Sequence, residues 1–105
     1  MDIFYAVAEP RRREIVQVLA VNGELSASAI SKKFNISAPA ISQHLKVLRE
    51  ANLVTMKKSA QQRLYTINLE GLNEIEDWLK KLNDVWEARY DRLEELLEKE
   101  NKKRN

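Results

Sequence analysis

Helix-breaking residues are scarce in this chain, and their scarcity limits its possible folds more than any other feature of the sequence. Its 105 residues include only two glycines and two prolines. Pro10 stands where a helix can begin, because the first helical turn does not need the N–H group that proline lacks. Gly23, after Asn22, can end the same helix, since glycine adopts the left-handed conformation at little cost. The sequence therefore predicts a mainly α-helical fold.

Apolar residues spaced three and four apart predict where the first helices lie. We expect a short helix over residues 2–8 and a second over residues 10–21, followed by a brief extended segment over residues 24–26. Ser28 is a suitable N-cap for a third helix, because its hydroxyl can accept a hydrogen bond from a free backbone N–H group.

A fourth helix is predicted to begin after the N-cap Ser37, with Pro39 in its first turn. Its apolar residues recur at spacings of four and three and form one inward face: Ile41, Leu45 and Leu48. The residues between them therefore lie largely on the opposite, solvent-facing side of the helix.

After Asn52 the pattern changes from helical to alternating, which indicates β-strands. One strand covers residues 53–58 and a second returns over residues 63–67. Together they form a β-hairpin with a basic, polar tip. The connecting segment, residues 59–62, contains no glycine, so we expect a looser loop than a two-residue turn.

From about Gly71 to Lys99 nothing breaks the helical pattern, which predicts one long C-terminal helix. Its apolar stripe is wider than a lone surface helix of so small a domain can bury, so a partner helix is implied. The stripe includes the residues that we expect at a dimer interface: Leu79, Leu82, Trp86, Tyr90 and Leu93. The charged end, residues 100–105, is expected to be disordered.

The charge of the chain is unevenly distributed. Residues 1–69 carry ten lysines and arginines against five carboxylates, whereas residues 70–105 carry eight against eleven. This asymmetry suggests that the first two-thirds of the chain binds a polyanion, while the last third meets protein or water. Chance in a highly charged chain is the alternative explanation.

Composition excludes several classes of site. The chain has no cysteine, which removes disulfides, thiolate nucleophiles and cysteine-based metal sites, and its one histidine, His44, cannot alone form a metal cluster. We expect no metal and no cofactor. No apolar run approaches the roughly 20 residues that cross a bilayer, and the N-terminus lacks the basic start of a signal peptide. We therefore expect a soluble, cytoplasmic protein without a membrane partner.

A helix, a tight turn, a capped second helix and a basic hairpin in succession are the arrangement of a winged helix-turn-helix. We therefore expect one domain, residues 1–105. Residues 1–69 would form a DNA-binding core with its wing, and residues 70–99 a C-terminal dimerisation helix. The candidate recognition residues are those on the exposed side of the fourth helix: Ser37, Ala38, Pro39, Ser42, Gln43 and Lys46.

These short polar side chains would let the helix approach the major groove of double-stranded DNA closely. Ser42 and Gln43 can bond to base edges, Ala38 and Pro39 can touch a thymine methyl group or a sugar, and Lys46 suits a phosphate. The alternative is an ordinary solvated helix face, but the position after a helix and a turn favours DNA contact.

Further cations are candidates for contact with the DNA backbone. On the hairpin, Lys57, Lys58, Gln62 and Arg63 form a wing that can reach the flanking backbone or the minor groove, unless they are ordinary surface residues. Arg12 is a further candidate, although Arg11–Arg13 could equally pair with the acidic last helix. For His44 we favour packing or a local hydrogen bond over base contact.

At these residues the chain resembles the ArsR-type (ArsR/SmtB-like) winged helix-turn-helix regulators. AEPRRREI, residues 8–15, is similar to their DPxRRxIL opening, and ISAPAISQHLKVLREANLV, residues 36–54, is similar to their recognition helix and entry to the wing. RLYTIN, residues 63–68, resembles their returning strand. VWEARYDRLEELL, residues 85–97, resembles the FWEERLDRLEELL ending of one subgroup.

The resemblance implies a homodimer built from the first and last helices, which adds Ile3 and Phe4 to the expected interface. It also implies binding to a palindromic operator and repression of the protein's own or neighbouring genes. Metal-sensing members carry cysteines in an ELCVC stretch, where this chain has Ser26 and Ser28, and its last helix has no histidine. The resemblance is therefore to a metal-independent branch, and it identifies no effector.

Two rival functions remain to be weighed. An enzyme is disfavoured, because the chain offers no paired histidines, no phosphate-binding glycine loop and no nucleophile with a recognisable base. A winged helix used as a protein-interaction module would be expected to expose aromatic or large apolar anchors, whereas this face is small and polar. The sequence therefore favours a sequence-specific DNA-binding transcription regulator.

Overall fold

The computed structural model describes residues 2–104. Its elements in chain order are α1 (Ile3–Ala8), α2 (Pro10–Asn22), β1 (Glu24–Ser26), α3 (Ala27–Phe34), α4 (Ala38–Glu50), β2 (Val54–Ser59), β3 (Gln62–Ile67) and α5 (Leu69–Arg104). The chain divides into two compact units, an N-terminal unit that ends at Ile75 and a C-terminal unit that begins at Glu76. The mainly α-helical fold with a small hairpin is confirmed.

Both ends of α2 follow from their residues. The Glu9 side chain caps the helix by accepting a hydrogen bond from the Arg12 backbone N–H group at 3.0 Å. Partial desolvation raises the pKa of Glu9, but this effect is outweighed by hydrogen bonds from the Arg12 and Arg11 backbone, so the pKa is lowered. At the other end Gly23 donates its N–H to the Leu19 carbonyl oxygen at 2.8 Å, which confirms the predicted stop at this glycine. Its φ of +84° is positive as expected, but its ψ of −66° lies outside the left-handed helical region.

Serine hydroxyls cap α3 and α4, although one cap differs from the prediction. Ser37 caps α4 as expected, accepting from the Ala40 N–H at 3.4 Å. The cap of α3 is Ser26, which accepts from the Ala29 N–H at 3.1 Å, so the prediction of Ser28 was wrong by two residues. Ser26 ends strand β1, and its extended backbone is the conformation that an N-cap requires.

The three strands form one antiparallel sheet in the order β1-β3-β2. Ser59 pairs with Gln62, which leaves Ala60 and Gln61 as a two-residue turn. The prediction of a looser loop was therefore wrong. Ala60 takes the left-handed φ of +56° that glycine more commonly supplies, because six strand pairs hold the two ends of the turn together.

The core of the N-terminal unit is built from α2, α3, α4 and the entrance to β2. Its fully buried side chains are Ile15, Leu19, Ile30, Ile41, Leu45, Leu48, Leu53 and Val54. The predicted inward face of α4 is thereby confirmed. Ile3, predicted at a dimer interface, is only 2% exposed and belongs to this core, because α1 packs inside the unit. Phe4 is half-buried against the same core.

Helix α5 is longer than predicted. It begins at Leu69 and continues to Arg104, so the tail that we expected to be disordered is helical as far as that residue. Asn105 lies outside the described residues. Glu95 precedes Lys99, and Glu98 precedes Lys102, by four residues, the spacing and order in which opposite charges stabilise a helix. Among residues 2–104, no helix combines the length and apolar composition needed to cross a membrane.

The start of α5 closely approaches the segment that leads into β2. Gly71 is buried, and a Cβ atom at this position would stand 2.2 Å from the Asn52 carbonyl oxygen and 3.3 Å from the Leu53 Cα atom. Any larger residue would push two backbone segments apart. Glycine is needed here for space.

We expect Gly71→Ala to lower the free energy of unfolding by about 1–3 kcal/mol, the usual cost of forcing an extra methyl group into a packed site. Chemical denaturation and the Tm from circular dichroism measure the change. Asn73→Ala, at an exposed position of the same helix turn, is the matched control and should be neutral or slightly stabilising. Wild-type stability of Gly71→Ala would contradict the close approach.

Candidate nucleic-acid interface

The exposed side of α4 carries all six residues predicted for the recognition helix. Ser37, Ala38, Pro39, Ser42, Gln43 and Lys46 are each exposed. They are exposed because Ile41, Leu45 and Leu48 bury the opposite side of the helix. The core of the N-terminal unit thus fixes which side of α4 a ligand can reach.

A short turn holds α4 against α3. Asn35 adopts the left-handed conformation with φ +52°, which ends α3 and reverses the chain. The Ser31 hydroxyl then donates to the Ile36 carbonyl oxygen, and the Ile36 N–H donates to the Ser31 carbonyl oxygen at 3.2 Å. This arrangement of two helices about a tight turn is a helix-turn-helix.

A shallow cleft joins α4 to the wing. It is lined by Ser42, Gln43, Lys46 and Arg49 of α4 and by Arg63 and Tyr65 of β3. Arg49 was not among the predicted recognition residues. The missed signal was its spacing, since Arg49 lies three residues after Lys46 and seven after Ser42, on the same helix face.

The hairpin places its cations on two different faces, because directly paired residues of antiparallel strands share a face. Lys58 pairs with Arg63, two residues from Tyr65, and so lies on the Tyr65 face. Lys57 lies on the opposite face, where its Nζ atom is 3.1 Å from the Glu24 carboxylate. The structure therefore brings Arg63, and not Lys57, to the exposed residues of α4.

Gln62 lies on the same hairpin face as Lys57, since it pairs with Ser59 at the end of the strands. It lines a surface depression with Ser26, Ser28 and Arg63, beside the first turn of α3. Gln62 is thus outside the cleft that the α4 residues form with Arg63.

The cleft is basic and is not neutralised by the protein itself. Within residues 2–104, none of the cleft cations Lys46, Arg49 and Arg63 forms an ion pair, and neither does Lys58 of the wing. Exposed, unpaired cations beside short polar side chains are the features of a surface that contacts the phosphates and base edges of nucleic acid.

Comparison with known proteins shows the family. Residues 9–56, from the cap of α2 to the first half of β2, match the family model described as bacterial regulatory protein, arsR family. The transcriptional repressor SdpR of Bacillus subtilis is 33% identical over 78 residues, which are 74% of this chain and 86% of that relative. This chain belongs to the arsR family.

Two further comparisons agree with this assignment. The arsenical resistance operon repressor of Staphylococcus xylosus is 35% identical over 81 residues, 77% of each protein. An ArsR-like transcriptional regulator from Rhodococcus sp. RHA1 has a solved structure that matches with a TM-score of 0.75 at 26% identity, over 90% of this chain and 88% of that one. The winged helix-turn-helix prediction is confirmed, and the protein is a DNA-binding transcription regulator.

Arg12, predicted to contact the DNA backbone, has a different role in this arsR-family chain. Its side chain is only 9% exposed. Its Nε atom donates to the Ala6 carbonyl oxygen at 2.6 Å and its Nη2 atom to the Tyr5 carbonyl oxygen at 3.2 Å. The prediction is corrected because the guanidinium is held inside the unit by carbonyl groups of α1.

Arg13 completes the same end of α1. Its Nη1 atom donates to the carbonyl oxygens of Val7 at 2.7 Å and Ala8 at 3.2 Å. Since the last four carbonyl groups of a helix have no partner within it, Arg12 and Arg13 together satisfy all four at this end of α1. Arg11 instead pairs with Glu14 at 3.2 Å.

His44 faces the start of α2. It is half-buried, and its Nδ1 atom lies 3.9 Å from the Glu9 carboxylate, a long contact that forms an ion pair only when the imidazole is protonated. This position favours the local role expected for His44 over contact with a base. Within the described part of the chain, no three histidine, cysteine or acidic side chains are grouped so that they could hold a metal ion.

We expect Arg12→Ala to destabilise the protein without removing a DNA contact. The loss of free energy of unfolding should be about 2–3 kcal/mol, because buried carbonyl groups lose a charged donor. Arg11→Ala, which removes an exposed ion pair, should cost less than about 1 kcal/mol. Urea denaturation measures both. A fall in the salt dependence of DNA binding by folded Arg12→Ala would instead restore its role as a phosphate contact.

Proposed function

We propose that the protein is a homodimeric repressor that binds a pseudo-palindromic DNA operator through α4 and the β2–β3 wing and acts without a metal. The observation that carries this proposal is the cleft in which exposed residues of α4 meet Arg63 of the wing, where no carboxylate of the described residues is paired to the cleft cations. Because its target is DNA, we place its action in the cytoplasm.

The exposed residues of α4 suit different parts of the DNA according to their chemistry. Ser42 and Gln43 are short, exposed donors and acceptors that suit base edges in the major groove. Ala38 and Pro39 suit a thymine methyl group or a sugar, and Lys46 suits a phosphate. Ser37 is the N-cap and already accepts the Ala40 N–H, and Pro39 has no N–H, so the first turn leaves the Ala38 N–H for a backbone phosphate.

The wing residues best placed to contact DNA are Lys58 and Arg63, because they share one hairpin face. We assign them to the backbone that flanks the recognition helix. Lys57 would contact DNA only from the opposite face and would first have to leave Glu24. Gln62 lies at the hairpin tip beside Lys58 and Arg63 but carries no charge. We therefore rank both below Lys58 and Arg63 as contacts.

The proposal of repression rests on two relatives, both of which are named repressors. The proposal of a metal-independent protein rests on the residues themselves. The chain has no cysteine to supply a thiolate, and Ser26 is engaged as the N-cap of α3.

The exposed apolar stripe of α5 supports a second copy of this chain as the partner. In the C-terminal unit Leu82 is 49% exposed and Trp86 65% exposed, and the other large apolar residues of this unit are similarly open to solvent. Leu79, Leu82, Trp86 and Leu93 follow spacings of three, four and seven, which suit a seam between two helices. Tyr90 lies beside this seam.

A two-fold symmetric dimer reads two half-sites with its two copies of α4. Their centres should lie about 34–36 Å apart, one helical turn of DNA, so that both helices enter the same side of the duplex. A protein-interaction module is not favoured, because the exposed side of α4 presents no aromatic or large apolar anchor.

Selection of bound duplexes from random DNA tests the proposal. Wild-type protein should select a pseudo-palindrome. Gln43→Ala should select sequences with relaxed preference at particular base pairs, because it removes a contact to base edges. Lys58→Ala should weaken binding to all sequences similarly, because a phosphate contact carries no sequence information. Equal effects of the two changes would undo the assignment of roles, and recovery of no common sequence would overturn specific binding.

Dimerisation is tested by placing aspartates in the α5 stripe. We expect Leu82→Asp/Trp86→Asp to give monomers in sedimentation experiments, because each copy would bury two carboxylates at the seam. Affinity for the selected operator should fall roughly hundredfold or more, since the second half-site no longer binds as part of the same complex. Lys80→Asp, outside the stripe, is the control and should stay dimeric. Full-strength binding by a proven monomer would refute this interface.

A further inference from the structure

The cleft between α4 and β3 contains more positive charge than base reading requires. Lys46, Arg49 and Arg63 line it from two elements, and none forms an ion pair within the described chain. Three like charges that converge without an acid repel one another, so an anion bound among them would be stabilised by all three.

The packing of each element aims these side chains at the cleft. Tyr65 is only 5% exposed and holds β3 to the core, and Arg63 lies two residues before it on the same strand face. On α4, Arg49 follows Ser42 by seven residues and Lys46 by three, which places all three on one side of the helix. The convergence of Arg49 and Arg63 is therefore built into the fold of the N-terminal unit.

The position of Arg49 along α4 suits a phosphate better than a base. Seven residues of α-helix span about 10 Å along the axis, and the major groove is about 8.5 Å deep. Because a recognition helix contacts base edges with its N-terminal residues, Arg49 near the C-terminal end of α4 lies beyond those residues and closer to the DNA backbone. A guanidinium can donate two parallel hydrogen bonds to the two free oxygens of a phosphodiester.

We propose that Arg49 and Arg63 bind one backbone phosphate of the operator between them, so that this phosphate links the recognition helix to the wing. This inference rests on the proposed DNA-binding function and adds to it a second positioning contact, Arg49, on the recognition helix. The bridged phosphate fixes the spacing between α4 and the hairpin when DNA is bound. Lys46 contributes charge from the same cleft.

The test uses the full chain and the operator duplex obtained by random selection. Wild-type binding to that duplex is established first, so a failure of DNA binding itself is recognised before any variant is compared. Arg49→Ala and Arg63→Ala should each weaken binding roughly tenfold at fixed salt, and each should lower the salt dependence, because a phosphate contact is lost. Neither variant should change the selected sequence. A changed base preference for Arg49→Ala would overturn the proposal.

Neutral phosphates distinguish a shared phosphate from two separate ones. A series of duplexes carries one methylphosphonate at matching positions in each half-site, moved along the backbone. At one position the change should weaken wild-type binding roughly tenfold, weaken Arg49→Ala and Arg63→Ala less, and weaken the double variant Arg49→Ala/Arg63→Ala no further. Reduced sensitivity of the two single variants at different positions, or full wild-type sensitivity of both at every position, would show that they hold no common phosphate.

Two lysine variants control for the general effect of charge. Lys58→Ala should bind more weakly yet keep the full wild-type sensitivity at the shared position, because it reaches another part of the backbone. Lys80→Ala, on α5, should behave as wild type at every position. If Lys58→Ala also lost its sensitivity at that position, the effect would come from the overall charge of the protein, and a phosphate shared by Arg49 and Arg63 would be ruled out. Arg49→Gln repeats the Arg49 test should Arg49→Ala lower the Tm.

Discussion

The burial of one face of α4 is the interaction on which the proposed DNA-binding surface depends. Ile41, Leu45 and Leu48 are at most 1% exposed, and burial of each such side chain is worth about 1.5–3 kcal/mol. Rotation of the helix by one residue would expose these side chains and bury Ser42 or Gln43 instead. The protein core therefore sets the orientation of the exposed side of α4 before any DNA is present, which would lower the entropic cost of ordering these residues on binding.

The elements that the sequence predicted best are those with local causes. The exposed side of α4, its Ser37 cap and the stop at Gly23 each follow from residues within one or two helical turns. The pairing of β1 with β3 and the tight turn at Ala60 depend on contacts between residues far apart in the chain. No periodicity in the sequence contains that information, so the loop was predicted wrongly.

Whether a charged side chain is buried or exposed was the hardest feature to predict. Arg12 and Arg63 are both arginines that were predicted to contact the DNA backbone, yet Arg12 is buried and Arg63 is exposed beside α4. The difference comes from α1, a helix of six residues that is too short to be stable alone and leaves four carbonyl groups without partners. Arg12 and Arg13 donate hydrogen bonds to these carbonyl groups. The short helix is thereby stabilised, and the buried guanidinium of Arg12 obtains its hydrogen-bond acceptors.

The uneven charge of the chain affects how a polyanion would approach the protein. The acidic excess lies in residues 70–105, which carry eleven carboxylates against eight lysines and arginines, while the cleft cations lie in the basic first part. A polyanion is attracted to a basic surface and repelled by an acidic one, so the cations of α4 and the wing favour contact with DNA and the acidic excess of α5 does not.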